Sequence, residues 1–191
     1  MLVQEGPSPC CPKGAYGPCR DVRACCLKGK YDKLPTGPDC YVVEGPAGTK
    51  KGIILMSDIM GFDTGRHFEI ADALAERCGA VVIVPDFFRA IAPHGYDGDL
   101  RASWGFVRRL PRLVKTMKNT KWPQVREDFA ATVTLLKGLG VEKAGCLGFC
   151  WGGYGVWRVC GEEEFAPVFL TCGVTCHPSV HNVPGYNGNS R

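Results

Sequence analysis

The chain lacks any long hydrophobic run. No stretch of 18 consecutive apolar residues occurs in its 191, which argues against a membrane-spanning helix. Histidine is scarce, with only His67, His94, His177 and His181. The early cysteines Cys10, Cys11, Cys19, Cys25 and Cys26 therefore have no histidine near them in sequence, and they are not spaced as C-x-x-C. That pattern argues against zinc, and no other spacing implies a metal or cofactor. A surplus of charge is also missing. The net charge is only +4, too little to indicate a nucleic-acid partner. Residues 1–10 lack a basic segment followed by an apolar one, so the expected compartment is the cytoplasm, with reduced thiols. Aspartate is absent after Asp128, and beyond residue 150 the side-chain carboxylates are Glu162, Glu163 and Glu164 alone.

An apolar fraction of 45% and a charged fraction of 22% describe a globular chain of a size that suits one domain. Residues 1–38 are rich in Gly, Pro and Cys without a sustained period and read as an irregular arm. The segments 40–44, 52–56, 80–84, 141–147 and 167–172 read as strands. Helical spacing of apolar residues covers 66–78 and 124–139, and a further short helix is expected over 154–159. Apolar strands alternating with helices predict an α/β fold: a mostly parallel sheet with helices on both faces. In such a sheet the site lies beyond the carboxyl ends of the strands. The segments 57–63, 85–92 and 148–153 occupy that edge. Residues 181–191, rich in Asn and Gly, read as a flexible tail.

One of those segments carries recognisable chemistry. Gly148-Phe149-Cys150-Trp151-Gly152-Gly153 follows an apolar strand and precedes a helix. Gly148-x-Cys150-x-Gly152 is the nucleophile-elbow pattern with cysteine as the nucleophile. A sharp strand-to-helix turn holds one side chain at the crest of the sheet, and the glycines two residues either side avoid collisions there. The free N–H groups of the helix start favour an anion, and so the reactive thiolate. The alternative for Cys150 is a packed core thiol. The acid-free run Arg101, Arg108, Arg109, Arg112, Lys115, Lys118 and Lys121 reads as a solvated face, or as the source of one carboxylate-binding arginine. Trp104 and Phe106 fit either a cleft roof or the core, and His94 reads as solvated.

Taken together, the cysteine elbow, Ser57-Asp58-Ile59-Met60-Gly61-Phe62 and Val84-Pro85-Asp86-Phe87-Phe88-Arg89 resemble the dienelactone hydrolase family of α/β-hydrolases. The resemblance extends over about 39–180, and Cys10-Cys11-Pro12 resembles the lead-in of eukaryotic members. It implies cleavage of small esters or lactones by a cysteine nucleophile in a Cys-His-Asp triad. Cys150 matches the nucleophile. The backbone N–H groups of Ile59 and Trp151 match the oxyanion hole. Asp58 takes the place of an acidic residue, often Glu in bacterial members, that contacts the resting thiol. Arg89 and His177 are candidate cleft residues. His177 stands in a His-Pro pair that, by the resemblance, is not the triad histidine. In the family, the acid and the histidine follow on loops after two further strands, which are not found in this chain. The expectation is thus a partial hydrolase domain, truncated at its C-terminal side and impaired in turnover. A catalytically dead binding or interaction module and a redox-active thiol protein are the alternatives. The strand at 167–172 is expected to form an unprotected sheet edge.

Overall fold

The computed structural model describes residues 27–63, 66–89, 111, 114–116, 120–166 and 169–179. The early cysteines, His94, most of the basic run, Trp104, Phe106 and the segment 181–191 lie outside the described residues.

Six strands form one sheet: β1 (Lys30–Lys33), β2 (Asp39–Val43), β3 (Lys51–Met56), β4 (Val81–Pro85), β5 (Lys143–Phe149) and β6 (Leu170–Cys176). Their spatial order is β1-β2-β4-β3-β5-β6. β1, β2 and β4 pair antiparallel, while β4, β3, β5 and β6 run parallel. The helices that pack on this sheet among the described residues are α1 (His67–Cys78), α2 (Trp122–Gly138) and α3 (Trp151–Cys160). The fold is the expected α/β architecture.

The strand period of two sorts side chains between two cores. On one face, Ile54, Met56, Ile83 and Cys146 pack with Val125, Phe129 and Leu136 of α2 and with Val156 and Val159 of α3. On the other, Leu55, Val82 and Val84 pack with Phe68, Ala71 and Ala75 of α1. These strand residues are 0–2% exposed. Each such side chain contributes about 1.5–3 kcal/mol by leaving water, so β3 and β4, lined on both faces, anchor the molecule. α1 ends at Gly79, whose left-handed backbone (φ 60°) sends its N–H back to the Ala75 carbonyl. Pro123 stands in the first turn of α2, where its missing N–H costs nothing.

Three boundaries depart from the sequence reading. Lys30–Lys33, inside the stretch read as irregular, is a strand. It is charged and short, so it has no apolar signature, and pairing with β2 holds it in place. β6 runs over Leu170–Cys176 rather than 167–172. The N–H groups of Phe169 and Leu170 turn back to the Phe165 carbonyl, which delays the strand. α3 begins at Trp151, directly after Cys150, not at Tyr154.

Candidate active site

The ends of β3, β4, β5 and β6 converge on one edge. Among the described non-glycine residues, only Arg89, Cys150 and His177 have left-handed φ, at 50°, 52° and 38°. They follow β4, β5 and β6 respectively. Each such conformation costs on the order of 1–3 kcal/mol and clusters at functional sites.

The elbow permits that strain only because its flanking residues are glycines. A Cβ on Gly148 would sit 2.2 Å from the Gly152 carbonyl oxygen, and one on Gly152 would sit 2.1 Å from that of Met56. The end of β3 thus lies directly against the first turn of α3. Cys150 is partly exposed and has a free thiol. Its N–H donates to the Cys176 carbonyl at 3.0 Å, and its own carbonyl accepts the Ser179 N–H at 3.0 Å. Its sulfur lies 3.3 Å from the Ser179 hydroxyl.

The loop after β3 is shaped by Asp58. Its Oδ1 accepts the Met60 N–H at 2.8 Å and its carbonyl accepts the Gly61 N–H at 3.2 Å. This tight turn has Ile59 at its tip, and Gly61 takes φ 113° to close it. The other Asp58 oxygen is 3.9 Å from Nε2 of buried His67. Nδ1 of His67 and the hydroxyl of Ser57 are buried without hydrogen-bond partners. The loop after β4 turns on Asp86, whose Oδ1 accepts the Phe88 N–H at 3.2 Å. Phe88 packs on Trp151 with ring centres 4.6 Å apart.

The structure separates the sequence candidates. Cys150, Trp151 and the segment 176–179 meet at the crest. Asp58 engages Met60 and neighbours His67, while the hydrogen-bond partner of the sulfur is Ser179. Arg89 is held by α2, where its Nε and Nη2 donate to fully buried Asp128 at 3.2 and 2.8 Å. The hydrogen bonds to Asp128 raise the guanidinium pKa further, and two donor atoms of Arg89 are no longer free for a ligand. His177 is exposed, its ring 6.4 Å from that of Phe149. Ser179 and His67 are the residues that sequence reasoning missed. The run Cys176-His177-Pro178-Ser179, directly after a strand at the carboxyl edge, was the available signal for Ser179.

A groove of about 440 Å³ lies elsewhere, lined by Lys28, Lys30, Glu44, Asp72 and Glu76 among others. Its charges are already partnered: Lys28 with Glu76, Lys30 with Glu44, and Asp72 with Tyr41 and the Lys28 N–H. Among the described residues no group of His, Cys, Asp or Glu is placed to hold a metal ion, and no helix is long and apolar enough to cross a membrane.

A glycine-flanked cysteine in a strained bend between a parallel strand and a helix, with the helix's first turn against the end of an earlier strand, agrees with a match to the dienelactone hydrolase family model over residues 39–184. The chain belongs to the dienelactone hydrolase family. It is 32% identical over 117 residues to the human carboxymethylenebutenolidase homolog, a match covering 61% of this chain and 43% of that protein. The mouse protein of the same description is 34% identical over 119 residues, covering 62% and 44%. The matches thus span less than half the length of these curated relatives. A Klebsiella pneumoniae protein classed as a dienelactone hydrolase superposes with a TM-score of 0.61 at 20% identity, over 78% of this chain and 59% of that one. The metagenomic dienelactone hydrolase-like promiscuous phosphotriesterase P91 gives 0.51 at 19% identity over the same shares. At that identity the likeness concerns the fold, an α/β-hydrolase sheet.

Proposed function

We propose that this member of the dienelactone hydrolase family attacks small esters or lactones with the Cys150 sulfur. The observation that carries this reading is the left-handed backbone at Cys150 between Gly148 and Gly152. Strain of this kind has no packing purpose, and it lifts the sulfur out of the core to the edge where substrates bind.

In the proposed reaction the thiolate adds to the substrate carbonyl. Charge develops on the carbonyl oxygen, and the N–H groups of Ile59 and Trp151 receive it. Donors of this type are worth about 3 kcal/mol each. The C–O bond breaks, the alkoxide or enolate leaves and takes up a proton, and a thioester remains on Cys150. Water then cleaves the thioester and returns the thiol. Ordinarily a histidine held by a carboxylate moves these protons. No such pair is assembled around Cys150 among the described residues. We propose that acylation outpaces turnover.

The test is p-nitrophenyl acetate cleavage. The expected result is a burst of about one nitrophenolate per chain followed by slow turnover, with both phases removed in Cys150→Ala. Nitrophenolate release that is unchanged in Cys150→Ala would overturn the assignment. Fast alkylation of Cys150 without any ester cleavage would favour a ligand-binding module.

A further inference from the structure

The end of β6 and the residues after it hold Cys150 from three directions. The Cys176 carbonyl accepts the Cys150 N–H, the Ser179 N–H donates to the Cys150 carbonyl, and the Ser179 hydroxyl reaches the sulfur at 3.3 Å. Reaching this arrangement requires a reversal of the chain within two residues. His177 makes it with its left-handed φ of 38°. Pro178 then seats against the first turn of α3 so closely that a Cβ on Gly153 would lie 2.8 Å from it. The strain at His177 and the missing side chain at Gly153 thus serve a common end: they bring Ser179 onto Cys150. A serine that merely capped the turn would need only its backbone N–H there. The hydroxyl on sulfur is additional.

We propose that Ser179 is a catalytic residue of this site, whose hydroxyl donates a hydrogen bond to the Cys150 sulfur and holds it, as thiolate, in the attacking position. A thiolate can only accept, and a serine hydroxyl rotates freely to donate. Hydrogen bonds to an ionised partner are roughly twice as strong as those between neutral groups. The contact therefore favours the anionic sulfur over the thiol. It also selects one side-chain rotamer of Cys150. No proton changes owner in this role: Ser179 keeps its hydrogen, and the sulfur loses its own to solvent. When the thioester forms, the sulfur loses its charge and the hydrogen bond weakens. This contribution belongs to the free enzyme and the attacking step rather than to deacylation.

The proposal rests on Cys150 as the nucleophile, and one experiment separates the two claims. Iodoacetamide alkylation of Cys150 is followed by peptide-resolved mass spectrometry across pH 5–10. It is run on the native chain, on Ser179→Ala and Ser179→Thr, and on urea-unfolded chain as the reference. Thermal melts check that the variants fold. The expected result is that native Cys150 reacts well above the unfolded reference at neutral pH. Ser179→Ala lowers the neutral-pH rate about tenfold, the scale of one charge-assisted hydrogen bond. Ser179→Thr, which keeps a hydroxyl, stays within about threefold of the native rate on the same scale. A folded Ser179→Ala protein with the native rate and pH curve would overturn the role of Ser179 while leaving Cys150 in place. Native Cys150 reacting no faster than unfolded chain would remove the nucleophile assignment, and this proposal with it. If Ser179→Ala does not fold, the threonine variant decides alone: a loss as large as tenfold in a folded protein overturns the proposal.

Discussion

Cys146 and Cys150 lie four residues apart, yet they differ in burial, backbone conformation and side-chain partner. Cys146 is in β5, 2% exposed, packed with α2 and α3. Burial pushes its pKa well above the ordinary thiol range. Cys150 is one residue past the same strand, partly exposed, in a strained conformation, with a hydroxyl at its sulfur. The strand alternation sends Cys146 into hydrocarbon, where a charged sulfur is penalised. The bend after Phe149 breaks that alternation. The same side chain is an inert space-filler in one place and a candidate nucleophile in the other, and the glycines around the second one make the difference.

The contrast can be broken most severely at those glycines. Gly152→Ala forces a Cβ to 2.1 Å from the Met56 carbonyl. The expected loss is about 3 kcal/mol or more, read from the midpoint of urea unfolding. Gly138→Ala, where the added Cβ meets nothing within 4 Å, is expected to be neutral or stabilising by up to about 1 kcal/mol. Similar midpoints for both variants would mean the bend is not the tight point described.

Labelling gives the next largest effect. In the folded chain Cys150 should alkylate about a hundredfold faster than Cys146, because the buried thiol reacts only when the fold opens. In strong denaturant the two should converge. Comparable rates at the two sites in the native chain would erase the distinction.

The smallest effect lies in alkaline stability. Burial, with help from Asp32 and Asp39, pushes the Cys40 pKa up from 9.0 to about 12. The fold therefore prefers the neutral thiol. Its contribution is complete below pH 9 and is lost as pH rises from there toward 12. By pH 10 the loss is about 1 kcal/mol. Cys40→Val should flatten this alkaline limb in urea melts at pH 8, 9 and 10. An unchanged slope would assign the loss to other groups.

How far these features were legible in the sequence depended on whether their causes were local. β3 and β4 are apolar on both faces, so they stood out as runs. α1 displayed Phe68, Ala71 and Ala75 at helical spacing. The elbow announced itself because its steric demand falls on residues two places away. β1 did not, because Lys30, Asp32 and Lys33 are set by a solvent-facing edge, and Tyr31 gains its packing from Tyr41, Phe62 and Phe68. The capture of Arg89 by Asp128 joins residues 39 apart, and the Ser179 contact spans 29. Neither has a one-dimensional signature. They arise when the parallel pairing of β5 with β6 and the packing of α2 under β4 bring separate segments to one place.

The two outer strands of the sheet leave the molecule with unequal flanks. β1 has three charged residues in four, a surface on which a stray peptide finds ion pairs and water rather than adhesion. β6, Leu-Thr-Cys-Gly-Val-Thr-Cys, has none, leaves Val174 53% exposed, and bonds to a neighbouring strand on one side only among the described residues. Where no further strand covers it, such a flank, free of any repelling charge, is an invitation to zipper with an extended backbone nearby. On a sheet that ends at this strand, crowding at high concentration would be felt first along this flank, directly beside the segment that grips the Cys150 sulfur.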